Sequence, residues 1–467
     1  MSIVIALDEG TTNAKAIAID HEGTVLAGAS RPVSIRNTAP GWTEQDAGEI
    51  WEASLAVLAQ VAAQVDAADV IGVAISNQRE SVVAWDPSTG APAGPVLSWQ
   101  DTRTAERCAG LADHRALVAA RTGLPLDPMF SAPKAAWLLE HAPAGTVVGT
   151  VDSWLVWNLT GGASLVMEAG NASRTLLMDL ETLDWHPDLL EIFGIPRDAL
   201  PRIVASTGPF GATACTGLPA GLPILAVMAD SHAALRGHGG GEPGIVKATY
   251  GTGSSVMQGT GAELLRRDGV ATTLAWLGEE PVYALEGNIR YSGAALDWAA
   301  RLLGRDDARA LGELAATVPD ADGAVLVPAF GGLGAPHWDP QAVGIVTGLG
   351  AATGPAHIAR AAFDAVAHQV ADVVEAMGPA PAALRADGGA TASSLLMQVQ
   401  ADALGCPVVV VGEADVALRG VASVAFEAVG TMLPTAPASS TFEPAASPDK
   451  RAVDRARWRA ALDRSTG

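Results

Sequence analysis

An α/β chain of two domains is the fold class that three features of this sequence predict. Strand-length apolar runs alternate with longer helical stretches almost throughout, the pattern of sheets covered by helices. The 467 residues exceed the roughly 250 to 300 at which a single core stops growing. One short pattern also occurs in both halves. An apolar run meets a Gly/Thr turn at Asp8-Glu9-Gly10-Thr11-Thr12, and again at Tyr250-Gly251-Thr252-Gly253-Ser254.

The first of these runs, 3–7, resumes after its turn as 16–19, which describes two strands joined by hydroxyl-rich residues. Glycine lets backbone approach a ligand closely, and turn N–H groups with Thr hydroxyls form a concavity suited to phosphate oxygens. Asp8 adds a carboxylate that can hold a divalent cation between those oxygens. Two such turns in one chain point to a nucleotide held between duplicated halves.

Residues 49–65 contain no Gly or Pro and place Ile50, Leu55, Leu58 and Val61 on one helical face. They lead into a buried strand at 70–76. Asn77-Gln78-Arg79-Glu80 follows at the carboxyl end of that strand, where open α/β sheets place ligands. A second apolar strand, 223–229, ends in Asp230 and runs into a helix. Five Gly and a Pro crowd 236–244, the best candidate joint, and divide the chain into domains at 1–240 and 241–467. Beyond the joint, strands are predicted at 245–250, 282–286, 324–328, 384–386 and 407–411. Helices are predicted at 293–303, 356–377, 392–404 and 417–429. Residues 331–340 read as an ordered loop, 434–448 as a surface connection, and 449–462 as a short charged helix.

Composition narrows the function. Apolar residues make up 49% and charged residues 17%, so both cores can be filled and wholesale disorder is excluded. A net charge of −22 argues against nucleic acid or an anionic membrane as partner. Cys108, Cys215 and Cys406 form no C-x-x-C pair, which points to buried free thiols in a reducing, cytoplasmic compartment. The N-terminal apolar run meets Asp8 after a few residues and reads as a first strand rather than a signal peptide.

Three segments could carry chemistry near a small polar ligand. Arg79 and Glu80 offer a donor fork beside acceptors, able to bind hydroxyls in both senses or to form a structural ion pair. Trp99, in Ser98-Trp99-Gln100-Asp101, offers an aromatic face to carbon-bound hydrogens or to the core. Asp230 could cap its helix, or take a proton from a hydroxyl attacking a phosphoryl group. His232 reads as a helix-face residue rather than a second base. In the far half, Asp387-Gly388-Gly389-Ala390 ends a strand and opens a helix, where a nucleoside can lie against bare backbone.

These segments, with 41–44, 127–134, 150–154, 171–174, 284–287 and 328–340, occur in one order over nearly the whole chain. On them the sequence resembles the FGGY carbohydrate kinases, most nearly the glycerol kinase branch. The resemblance implies two actin-like, ribonuclease-H-like ATPase domains with an interdomain cleft. It implies transfer of the γ-phosphoryl of ATP, with Mg2+, to a hydroxyl of a small polyol or sugar. Asp230 then matches the catalytic base and Asp8 the magnesium-binding residue. Gly10, Thr11, Thr12, Thr252 and Gly253 match the phosphate turns, and Lys15 stands where a nearby Arg reaches the phosphates. Gly293, Gly389 and Ala390 match the adenine and ribose wall, with Asp297 and Ser393 at its rim in place of Gln and Asn. Arg79, Glu80 and Trp99 match residues that hold the polyol.

The acceptor side departs from glycerol kinases. Met129 stands for Tyr, Ser231 for Gln, and Ser255 for an aromatic residue. The expectation is therefore an ATP-dependent polyol kinase with an enlarged pocket favouring a four- or five-carbon polyol. The alternatives are glycerol itself as acceptor, or a non-catalytic ATP-driven switch. A homodimer or homotetramer fits this class equally well.

Overall fold

In the computed structural model, residues 2–241, 243–412 and 415–466 are described; Glu242 of the expected joint lies outside them. The near half is built on a five-stranded sheet in the order Ile224–Ala229, Val70–Asn77, Ile3–Glu9, Asn13–Asp20, Val25–Pro32. The first three strands in sequence are antiparallel, as their short turns require, and the other two join in parallel. The crossover into Val70–Asn77 is the helix Ala47–Ala62, whose first turn is capped by the Asp46 side chain accepting from Glu49 N–H. Its inner face buries Ile50, Val57, Leu58 and Val61 against Ile5 and Leu7, while Leu55 of the expected stripe is only partly covered.

The far half repeats this plan. Ile245–Tyr250 pairs antiparallel with Ser254–Gly261, which pairs with Pro281–Ile289. Ala383–Asp387 and Val408–Val411 then add in parallel. The long helix Pro355–Met377 takes the place that Ala47–Ala62 holds in the near half. Two edge strands, Ala271–Leu277 and Ala438–Phe442, widen this sheet to seven.

Several expectations are corrected here. The connection expected at 434–448 contains the strand Ala438–Phe442, antiparallel to Val408–Val411. Its Ser and Thr residues are exposed because it closes a sheet edge with one side open to water. Residues 324–328 contribute Val325–Val327, but to a separate two-stranded ladder with Ile345–Thr347. The closing helix runs Pro448–Ser465, longer than expected, because Ser447 caps it and Pro448 starts it. It is also anchored: Trp458 is fully buried and its Nε1 donates to Asp372 Oδ2 at 2.7 Å. Cys108 and Cys406 are buried, but Cys215 is partly exposed.

The two halves share a core. Val4, Ala74 and Met228 of the near sheet pack with Met257, Ala284, Leu418 and Phe426 of the far half in one apolar cluster. Within it the helices Asp230–Gly237 and Val416–Ala428 cross with almost no separation. A Cβ on Gly420 would overlap the Ala233 carbonyl oxygen, and one on Gly237 would overlap that of Val416. Backbone rather than a flexible side chain is the obstacle, so the crossing itself would have to open. Gly420→Ala is expected to lower stability by about 1 to 3 kcal/mol, the usual range for overpacking. A denaturation midpoint equal to that of the parent would show the crossing to be looser than this geometry.

Candidate active site

Asp8 lies at the carboxyl end of the first strand, beside Ser76 on its parallel neighbour. Ser76 Oγ donates to Asp8 Oδ1 at 2.6 Å. Burial raises the Asp8 carboxyl to about 6 despite that bond, and the negative charges of Asp230 and Asp415 add to the rise. The following turn closes through Gly10 N–H to Asn13 O, 2.9 Å. Gln45 Nε2 donates to Thr11 O, and Trp99 Nε1 to Thr11 Oγ1 at 3.0 Å, so the half-buried Trp99 ring is tied to the turn. Thr12 is exposed. Lys15 Nζ is 2.6 Å from Asp415 Oδ1, an ion pair reaching into the far half.

The second turn closes through Gly251 N–H to Gly253 O, 2.9 Å. Gly251 O accepts from Gly293 N–H, and Thr252 O accepts from Ser292 and Ala294 N–H. The start of the helix Gly293–Leu302 is thereby stapled to the turn, with Asp297 exposed one turn further on. Gly388 has φ +94 and lies against Tyr250 backbone, where a side chain would collide. Gly389 and Ala390 follow in the tight turn Gly389–Ala392. Ser393 uses its side chain to cap the next helix, accepting from Leu396 N–H at 3.2 Å.

The residues expected on the acceptor side have partners that spacing did not reveal. Arg79 and Glu80 do not bind one another closely; Nε and Oε1 are 3.8 Å apart. Arg79 instead donates both terminal nitrogens to Glu286, at 3.1 and 2.7 Å. Burial opposes a charged Arg79, but Glu286, Glu80 and Asp230 outweigh it and raise its proton affinity. Glu80 accepts from Arg174 Nε at 2.7 Å. Its backbone φ is +62, a left-handed conformation of a kind that costs a non-glycine residue on the order of 1 kcal/mol or more.

Asp230 is the first residue of its helix, and Ala229, not Asp230, occupies the cap. Its Oδ1 accepts from Ser231 N–H and sits 3.4 Å from Arg79 Nε. The side chain is 39% accessible, yet the surrounding walls desolvate it. That desolvation raises its proton affinity against the pull of Arg79, and Glu80 adds to the rise. A carboxylate open to a cleft and displaced upward in this way is suited to accept a hydroxyl proton. His232 is fully buried, and burial, with Arg79 next, holds it well below its usual range. It is neutral and turned inward.

Met129 lies in a loop held from beneath by Lys134, which is buried and donates to the carbonyls of Pro128 and Met129. Burial lowers this ammonium to about 8, opposed by the charge of Glu80 and then of Asp101. Ser255 sits in the far sheet opposite Thr249 and Asn288. Its Oγ is buried without a hydrogen-bond partner among the described residues.

Glu286, Arg174 and Lys247 belong to this cluster and were not singled out from sequence. Each is a charge buried in the protein, and an isolated charge inside an apolar run, as in Tyr283-Ala284-Leu285-Glu286, was the available signal.

Comparison with known proteins agrees with this geometry. The N-terminal domain of the FGGY family of carbohydrate kinases matches residues 3–237, and its C-terminal domain matches 246–429. The chain belongs to the FGGY family. A glycerol kinase of Alkalilimnicola ehrlichii is 43% identical over 100% of this chain and 99% of its own. An apulose kinase of Pectobacterium atrosepticum is 45% identical over 90% of this chain and 88% of its own. Glycerol kinase of Plasmodium falciparum, solved with ADP, superposes with a TM-score of 0.93 at 28% identity, covering 100% of this chain and 98% of the other.

This FGGY member is therefore a carbohydrate kinase, a phosphotransferase with an alcohol group as acceptor, on the family's two-domain actin-like fold. The non-catalytic switch is set aside. The family implies Mg2+ with ATP, and the residues present fit a cation: Asp8 is a half-buried carboxylate with raised proton affinity just before a phosphate-type turn. Among the described residues no three His, Cys, Asp or Glu side chains gather to cage a metal. Magnesium commonly uses one or two carboxylates with water and phosphate. When bound, it would neutralise charge on the phosphates. Asp8→Ala is expected to weaken Mg2+-dependent ATP binding while leaving the acceptor KM in place, measured by nucleotide titration at varied Mg2+. A change confined to the acceptor KM would contradict this assignment.

Proposed function

We propose that this kinase phosphorylates a polyol of four or five carbons, with Asp230 as general base and ATP held between the two Gly/Thr turns. The observation that carries the base assignment is the Asp230 carboxylate, open to the cleft, displaced upward by desolvation, and flanked by Arg79 Nε. In this reading the near domain, 1–240, binds the acceptor and carries the base, while the far domain, 241–467, binds the nucleotide. Gly10, Thr11, Thr12, Lys15, Thr252 and Gly253 face the phosphates. Gly293, Asp297, Gly389, Ala390 and Ser393 border the nucleoside. Lys15 would exchange Asp415 for a phosphate oxygen. The three unpaired thiols suit a cytoplasmic enzyme.

Phosphoryl transfer has a loose transition state, so alignment and charge neutralisation carry most of the catalysis. A general base contributes roughly 10²- to 10⁴-fold. Asp230→Asn is expected to keep nucleotide binding and lose at least ~10²-fold in kcat, as removal of a base implies. Near-normal turnover would place the base elsewhere.

Met129, Ser231 and Ser255 support the larger acceptor. They are smaller than the aromatic and amide side chains of glycerol kinases. Glycerol is the second reading, favoured by relatives of that name over the full length. The apulose kinase relative is just as similar, so overall similarity does not choose the acceptor. Each hydroxymethyl group that fills the pocket is expected to change kcat/KM by about 10- to 200-fold. The test is kcat/KM for glycerol against erythritol, threitol, ribitol, xylitol and arabinitol. A clear preference for glycerol over all of them would overturn the larger acceptor.

A further inference from the structure

Arg79 presents three nitrogens to three carboxylates, and their arrangement is unequal. Its two terminal nitrogens lie on Glu286, at 3.1 and 2.7 Å. Its Nε edge faces Asp230 at 3.4 Å and Glu80 at 3.8 Å. Glu80 is already engaged by Arg174 Nε. Glu286 belongs to the strand Pro281–Ile289 of the far half, whereas Arg79 and Asp230 belong to the near half.

Glu286 is itself immobilised. Its side chain is fully buried, Arg174 Nη1 lies 2.8 Å from Oε2, and Asn288 Nδ2 donates to Oε1 at 3.3 Å. Burial would favour its neutral form, but Arg174 and Arg79 outweigh burial and hold it well below the usual carboxylate range. It is a fixed, ionised clamp.

A guanidinium bonds a carboxylate best through two parallel N–H donors. Without Glu286, the nearest carboxylate for the Arg79 fork is Asp230, whose Oδ1 already accepts from Ser231 N–H. Closing onto it would occupy the lone pairs needed for a hydroxyl proton. We propose that Glu286 is a positioning residue of the acceptor site: it holds the Arg79 fork from the opposite half and so leaves Asp230 free to act. This rests on Asp230 being the base.

The sign of the pH effect follows from the groups around Asp230. Arg79 and Glu80 flank it, Lys247 faces it from the strand Ile245–Tyr250, and Asp8 and Glu9 lie nearby on the first strand. His232 on its own helix is neutral. Neutralising Glu286 removes a negative charge and frees Arg79 to approach. Both changes stabilise ionised Asp230, so its pKa falls and the acid limb of activity moves to lower pH.

The experiment compares full-length enzyme with Glu286→Gln across about pH 5 to 9, varying acceptor and MgATP separately. The expected result is an acid limb lower by about one pH unit, with kcat/KM for the acceptor reduced by roughly 10- to 100-fold and the MgATP KM within about twofold. An acid limb in its original place, whether activity is retained or lost, would overturn the proposal. Glu286→Asp keeps the charge with a shorter reach, and should restore the original limb with an intermediate kcat/KM. If Glu286→Gln does not fold, Glu286→Asp decides: parental acceptor kcat/KM would overturn the proposal, and a selective loss on the acceptor side supports it. Asp230→Asn in the same series separates the two claims. Turnover by that variant would remove the base assignment, whereas its inactivity beside an unshifted Glu286→Gln limb would remove the clamp alone.

Discussion

Arg79 reaches 207 positions along the chain to bond Glu286, and the charges of Arg174, Glu80 and Asp230 gather around that fork. Taking an arginine and a glutamate out of water is unfavourable unless their bonds are well made. Here the guanidinium is bidentate, and Arg174 adds a second positive charge to the same carboxylate. The consequence is positional. Arg79, which lies 3.4 Å from Asp230, is held by a residue of the far sheet, so this ion-pair cluster is completed where the halves meet.

The duplicated topology explains why they meet there. Each half repeats three antiparallel strands followed by two parallel ones, and each last core strand feeds a helix, Asp230–Gly237 or Val416–Ala428. Those two helices touch backbone to backbone at Gly237 and Gly420. Each first strand also runs into a Gly/Thr turn. One fold repeated about a shared helix crossing thus gives each half its own Gly/Thr turn after its first strand, with Asp230 at the start of the near helix of the crossing.

Much of this was legible in sequence, because it depends on local pattern. The strand Ile245–Tyr250 and the helix Pro355–Met377 follow from alternation and helical periodicity, and were read within a residue of their ends. Asp8 and Asp230 were legible as carboxylates closing apolar strands. Ala438–Phe442 was not, because an exposed edge strand made of Ala, Ser and Thr has the composition of a loop. The clamp was also hidden. Glu286 and Arg174 acquire meaning from partners far away in the sequence, and spacing along a chain carries no trace of such pairs. The closer partners of Arg79 and Glu80, Glu286 and Arg174, were hidden for the same reason.

The most direct test of this account is a double-mutant cycle between Arg79 and Glu286, using Arg79→Gln and Glu286→Gln, singly and together, with kcat/KM for the acceptor as readout. If the far half positions Arg79, the second substitution should cost much less once the first is present, with a coupling of about 1 kcal/mol or more. Effects that add to within about 0.5 kcal/mol would mean that the two residues act independently, and would contradict the account.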